Sequence, residues 1–323
     1  MGGDVIFPEW IYHYPLHGVR LLPAHSEGIL TPADDLLPHA IRLAFSSGAL
    51  PDIGKPVWLQ ESRGSRYVSV VGLHKTVPGL LLDVACEGVG SFHYLGEEIV
   101  VNWSETGTGF EHYLQTAGLS LWLEIRGVLC LHANALATER GVIGLVAPSQ
   151  MGKTTLTAAL AASGMAIMTD DMMAVYPSDA GWRVFPGWPR LRMWPDAARY
   201  FVGDAVEQLA RVHTRFDKRV VNLEENVGFD FCRHSGSLNR LYLLERRDDA
   251  SDDVVMEEMT PRSGLLALMQ HSMLASAYRT LGVEEQRLEK LSALVTSVVM
   301  KKIVYSSGRQ SLERVCKAIQ SDL

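Results

Sequence analysis

"GVIGLVAPSQMGKTTLTAALAASGMAIMTDD", residues 141 to 171, is the stretch on which the fold turns. GVIGLVA (141 to 147) is a continuous apolar run, the pattern of a buried strand. TTLTAALAAS (154 to 163) is rich in Ala and Leu and reads as a helix, with Gly164 as its stop. Between them, APSQMGKTT fits the phosphate-loop pattern that starts with Ala or Gly and ends in Gly-Lys-Ser/Thr. In a strand-loop-helix setting, the backbone N–H groups of residues 148 to 154 and the positive end of the helix face one point, where a polyphosphate fits. The expected nucleotide contacts are therefore Ala147, Pro148, Ser149, Gln150, Met151, Gly152, Lys153, Thr154 and Thr155. Lys153 would neutralise the β and γ phosphates of ATP, and the Thr154 hydroxyl would ligate Mg²⁺. Ala147 stands where glycine is usual, and Gln150 and Met151 are bulkier than the residues some such loops carry.

MAIMTDD (165 to 171) reads as a second strand, apolar until it ends in Asp170 and Asp171. Phosphoryl transfer needs a carboxylate for Mg²⁺, and transfer to an alcohol gains from a second one that accepts its proton. Side chains alternate along a strand, so the pair is expected to diverge unless the chain turns there. Upstream, CLHANALA puts Cys130, His132, Asn134 and Leu136 on one face of an expected strand. His132 lies fifteen positions before Ala147, on a strand that could run beside the loop strand.

These segments resemble the HPr kinase/phosphorylase family and its HPr-kinase-related members. The resemblance spans roughly residues 125 to 215 and is carried by LHANALA, APSQMGKTT, GMAIMTDDMMAVYP and, more weakly, FPGWPRLRMWPDA. It implies that Lys153 and the loop backbone bind the ATP phosphates and that Thr154 and Asp171 hold Mg²⁺. It further implies that Asp170 takes the proton from an acceptor serine and that His132 lines the same pocket. The family's Glu-Ile-Arg-Gly signature follows the acidic pair, whereas LEIRG here precedes the loop, at 123 to 127. WPRLRMW occupies the signature's region, and its Arg190 and Arg192 could reach phosphate oxygens or an anionic acceptor. Phosphorylase activity and HPr itself as substrate are therefore not carried over. Relatives of this kind stand beside genes for ribosomal peptides, including lasso peptides, and phosphorylate a precursor there. The resemblance thus implies a peptide or small-protein acceptor.

The flanking sequence supplies the setting. Residues 1 to about 120 carry short β-branched and aromatic segments such as RYVSVVGLH and EEIVVNW, separated by turns, and read as a smaller β-rich module. Residues 121 to 323 alternate strands and helices, the pattern of an α/β phosphate-loop core with a mixed sheet of the HPr-kinase-like type. RVHTRFDKRVVNL (211 to 223) reads either as a solvated helix face or as a basic lip on the site, with Lys218 and Arg219 its leading residues. PRSGLLALMQHSMLASAYRTLG reads as a helix pair, in which His271 packs.

With 323 residues, 47% of them hydrophobic, the chain can bury a substantial core. A formal charge of -7 gives no general attraction to nucleic acid or to an anionic membrane. Cys86, Cys130, Cys232 and Cys316 are too far apart for a zinc knuckle or redox dithiol. No apolar run reaches the roughly 20 residues that span a bilayer, so neither membrane nor nucleic acid is an expected partner and a cytoplasmic location is. A homo-oligomer is possible on this sequence. The function that fits best is an ATP- and Mg²⁺-dependent kinase acting on a serine hydroxyl. A nucleotide-binding regulator that transfers nothing, and a small-molecule or carboxykinase-like enzyme, stay open beside it.

Overall fold

The structure, a computed structural model, describes residues 9–24, 37–46, 53–63, 68–86, 88–103, 109–149, 151–213, 216–225, 228–247 and 253–323. Gln150 and Arg215 fall outside these, as does 248–252 of the polar ERRDDASDD stretch.

The early β-rich segments build one seven-stranded sheet from β1 (Val19–Pro23), β2 (His39–Phe45), β3 (Trp58–Arg63), β4 (Val68–Lys75), β5 (Leu80–Cys86), β6 (Gly88–Tyr94) and β7 (Glu98–Trp103). Its order is β1-β2-β7-β6-β5-β4-β3. Strands β3 to β7 form an antiparallel meander, while β1, β2 and β7 run parallel. A helical run follows: α1 (Gly109–Tyr113), a π-helical turn over Leu114–Gly118, and α2 (Leu119–Ile125). Its apolar residues, including Leu114, Leu121 and Trp122, pack with Leu43, Phe92 and Val101 of the sheet. The same cluster takes in Cys130, Met172, Tyr176, Trp188, Leu274 and Tyr278. Residue 120 thus lies inside a helical run whose core belongs to both parts of the chain.

The remainder is α/β. In chain order come β8 (Leu129–Leu131), β9 (Ala133–Thr138), β10 (Gly141–Val146), α3 (Lys153–Ala162), β11 (Ala166–Thr169), β12 (Met173–Ser178) and β13 (Gly181–Val184). Then follow β14 (Arg190–Met193), α4 (Pro195–Val202), β15 (Arg211–His213), β16 (Phe216–Asn222), β17 (Gly236–Arg247) and β18 (Val255–Glu258). The chain closes with α5 (Pro261–Gln270), α6 (Ala277–Leu281), α7 (Glu284–Ser297), β19 (Val299–Ser306) and α8 (Arg309–Asp322).

The second sheet is mixed, ordered β11-β9-β10-β17-β13-β12-β8, with β19 also on β17 and β18 on β19. β10 pairs parallel with β17 and antiparallel with β9. Because β8 and β9 are consecutive in the chain yet lie near opposite ends of this order, the sheet curls into a half-barrel. One of its faces packs on α3 and α8 through Leu156, Leu160, Val315 and Ile319. Another cluster joins Leu241 and Met300 to Leu268 of α5 and Leu291 and Leu294 of α7.

Two sequence expectations differ from the structure. CLHANALA is not one strand: it breaks at His132, whose N–H donates to the His271 carbonyl at 2.7 Å. That bond draws the chain out of the sheet and lets β8 pair with β12 while β9 pairs with β10 and β11. The basic 211 to 223 stretch is no helix face. Its described residues form β15 and β16, which with β14 make a three-stranded sheet, because alternating burial along FDKRVVN suits a half-buried strand. All four cysteines are free thiols. Among the described residues, no helix is long and apolar enough to cross a membrane.

Candidate functional site

β10 ends at Val146, and the chain turns through the loop before α3 starts at Lys153. Gly152 caps that helix in the left-handed region, at φ 91°. A side chain there would be strained, so glycine at this position is a backbone requirement. Beyond it, Lys153 folds back along the loop: its ammonium donates to the Ala147 carbonyl at 2.8 Å and the Pro148 carbonyl at 3.4 Å. Ala147 itself is buried in the core under α3. Its methyl therefore packs inward, which is why the missing glycine costs the loop nothing visible. Met151 also leans on that core, and its carbonyl accepts from the Tyr305 hydroxyl at 3.4 Å.

The acidic pair sits directly across from the helix start. β11 stops at Thr169, and Asp171 adopts φ 63°, unusual for a residue with a side chain. The turn sends the two carboxylates to different places. Asp170 is buried and accepts three hydrogen bonds: from the Thr154 hydroxyl at 3.1 Å, the Asn134 amide at 2.8 Å and the Arg192 backbone N–H at 3.0 Å. Asn134 completes the clamp by accepting from the Asp171 N–H at 3.0 Å. Thr154 thus meets Asp170 directly, whereas the family resemblance groups Thr154 with Asp171. Burial, followed by the neighbouring Asp171 charge, pushes Asp170 up to about 6. Burial opposes ionisation of Asp171 as well, but there Lys218 leads a set of neighbours, Lys153 among them, that holds it below the usual carboxylate range. Lys153, desolvated first of all by its burial, falls to about 8 despite both aspartates.

A cavity of about 480 Å³ opens over this constellation. Ser149, Gly152, Lys153, Thr154 and Thr155 of the loop line it, as do His132, Asp171, Arg192 and Lys218. The Lys218 ammonium lies 5.6 Å from the centre of the Trp194 ring. His132 is burial-depressed to about 3, so it enters the site as a neutral imidazole, and its buried Nε2 has no hydrogen-bond partner among the described residues.

Two expected contacts do not reach the cavity. Arg190 instead lines a small adjoining cavity with Asp170, Asp171 and Arg192, where it pairs with Glu111 at 2.5 Å and stacks over the Trp10 ring at 3.8 Å. Arg219 is one residue out of phase with Lys218 on β16, so it points to the opposite face, where Asp217 lies 3.5 Å away. Conversely, nothing local marks His112 on α1, which lines both the main cavity and the small adjoining one beside Asp170 and Asp171. It sits in a largely buried helical run beside Glu111, Gln115 and Thr116, where a histidine reads as packing. Asn134 was visible only as sharing a strand face with His132.

No family model matches the chain, and no curated protein matches it. Among solved structures, the HPr(Ser) kinase/phosphatase from Coxiella burnetii superposes with a TM-score of 0.34 at 11% identity, over 60% of this chain and 89% of that one. At that level the likeness carries no argument, so the roles of these residues rest on their own geometry.

Proposed function

We propose that this chain is an ATP- and Mg²⁺-dependent phosphotransferase acting on a hydroxyl, a seryl side chain of a peptide or small protein. The observation that carries the reading is the convergence of Lys153, Thr154, Asp170 and Asp171 at the start of α3, behind the left-handed Gly152. A helix N-terminus with its backbone N–H groups and a buried ammonium favours polyphosphate.

The residues present fit Mg²⁺. Thr154 and Asp170 offer hard oxygens side by side, and Mg²⁺ on a nucleotide typically needs only one or two protein oxygens besides phosphate and water. Because the Thr154 hydroxyl donates its proton to Asp170, its lone pairs are left for the cation; Asp170 then supports the metal side. Mg²⁺ held there would draw charge off the β and γ phosphate oxygens. Asp171, ionised and open to the cavity, is left for the acceptor. The acceptor oxygen attacks the γ-phosphorus, the bond from that phosphorus to the β–γ bridging oxygen breaks, ADP leaves, and the hydroxyl proton passes to Asp171. Lys153 and Lys218 neutralise the charge that develops. This exchanges the two aspartate roles that the family resemblance implies.

The test is binding of a fluorescent ATP analogue together with transfer from γ-labelled ATP to peptides or cell extract. Lys153→Ala should weaken binding by about tenfold or more, the loss of one charge-assisted contact. Asp171→Asn should keep binding but slow transfer by roughly 10²-fold or more. Unchanged binding in Lys153→Ala would overturn the nucleotide site, and unchanged transfer in Asp171→Asn would return the base role to Asp170.

A further inference from the structure

The loop and the acidic pair form only one side of the cavity. Its other side comes from the first sheet and the helical run: Gln60 and Ser62 of β3, Ser69 of β4, Cys86 of β5, His112 of α1 and Thr116. In the β3–β4 register Gln60 faces Val71 and Ser62 faces Ser69, and all four side chains line the cavity, so one face of the hairpin is the wall. The Gln60 amide donates to the Ser62 hydroxyl at 3.2 Å, and the Trp58 indole holds the base of β3 to Ser276 at 2.8 Å.

The charges divide unevenly. Lys153, Asp171, Arg192, Asp196, Lys218 and Arg246 all come from the α/β part. Among the described residues, the side chains that the first sheet and the helical run bring to the cavity include no carboxylate, ammonium or guanidinium. His112 is the one titratable nitrogen base among them, and burial holds it neutral. Its Nδ1 is buried without a hydrogen-bond partner among the described residues.

We propose that this neutral wall is the acceptor subsite, and that it selects a seryl side chain flanked by uncharged residues on an extended peptide segment. The proposal rests on the phosphotransferase reading above. Size favours a segment over a folded surface: single-ligand pockets span roughly 300–1,000 Å³, and these 480 Å³ must also take the nucleotide's phosphates. A carboxylate or ammonium beside the serine would be desolvated against Ser62 and Ser69 with no opposite charge to meet. The seryl hydroxyl would lie beside Asp171, with His112 on the same wall.

The experiment presents the full-length protein with γ-labelled ATP and an array of seryl peptides with neutral, acidic or lysine flanks, plus free serine. Neutral flanks should be labelled at least about tenfold faster than either charged set. Gln60→Glu with Ser62→Asp should move the preference toward lysine flanks by a similar factor; Gln60→Glu alone, at an exposed position, gives the same direction if the double variant fails to fold. In a Cys232→Ser background, the best peptide added to nucleotide-bound protein should slow alkylation of Cys86 several-fold below nucleotide alone. A wild-type preference for charged flanks, a preference unmoved by the new carboxylates, or label on free serine alone overturns the proposal. So does a protein that binds nucleotide through Lys153 yet labels no peptide. Loss of nucleotide binding itself would instead remove the phosphotransferase reading.

Discussion

Asn134 ties the acidic pair to β9, so its replacement is the sharpest test of how the site is built. Its amide donates to the Asp170 carboxylate at 2.8 Å and to the Thr157 hydroxyl at 2.9 Å, and its carbonyl accepts from the Asp171 N–H at 3.0 Å. Asn134→Leu keeps the volume and excludes water, but it removes all three bonds. Thr157 loses little, because its hydroxyl still donates to the Lys153 carbonyl at 2.9 Å. The Asp171 N–H loses its acceptor, at about 1–3 kcal/mol for a buried donor, and Asp170 keeps Thr154 and Arg192, so about 1 kcal/mol more is expected there. The sum is a destabilisation of roughly 2–4 kcal/mol, measurable as a lower urea midpoint at unchanged m-value. Released from Asn134, Asp171 should also leave its left-handed conformation, and transfer should fall by about 10²-fold even in protein that remains folded. A change in unfolding free energy below about 0.5 kcal/mol, the scale of ordinary surface substitutions, would refute the claim that Asn134 clamps the pair.

Other outcomes follow from the same contacts. Gly152→Ala, at φ 91°, should destabilise by about 1–2 kcal/mol and lose nucleotide binding, read by urea unfolding and analogue fluorescence. His17 is buried and depressed to about 3, so as pH falls below about 6.5 the unfolded chain takes up its proton first and stability is lost toward pH 3. His17→Asn, which suits the local φ of 53°, should therefore flatten the stability–pH slope over that window by up to about 1.4 kcal/mol per pH unit; equal slopes would exclude His17 as a contributor. Arg287 lies 3.0 Å from Glu124 in a buried pair. Arg287→Ala should cost about 3–5 kcal/mol and Glu124→Gln with Arg287→Met much less, since the first leaves an uncompensated buried charge.

What the sequence made legible was the contiguous part of the site. The strand, loop and helix from 141 to 163 can be read because apolar periodicity, the left-handed glycine and the lysine all act within a few residues of one another. Asp170 and Asp171 were legible as a pair, but not their division. That depends on a single positive φ and on Asn134 reaching across from another strand. The β8–β9 break was hidden for a similar reason, since the bond that makes it comes from His271, far along the chain. Arg190 and Arg219 looked equivalent to Arg192 and Lys218 in composition. Strand alternation and the Glu111 partner separate them, and neither can be counted before the register and the packing are known. His112 and the wall of β3 and β4 carry no local mark at all, because a serine on a strand face acquires meaning only from what faces it.

The core under the first sheet runs from Ile11 to Tyr278 as one cluster. During synthesis, strands β1 to β7 are therefore complete long before Leu274 and Tyr278 leave the ribosome to complete that core. The helical run of residues 109–125 follows at once and packs on the sheet, but the cluster stays incomplete until residues 274–278 are made, a period in which aggregation and chaperone capture compete with folding. The chemistry is timed by the same dependence. The cavity that Asp171 faces includes Met273 and Leu274 in its lining, so a nascent chain already carrying the whole phosphate loop has no finished chamber in which to use it.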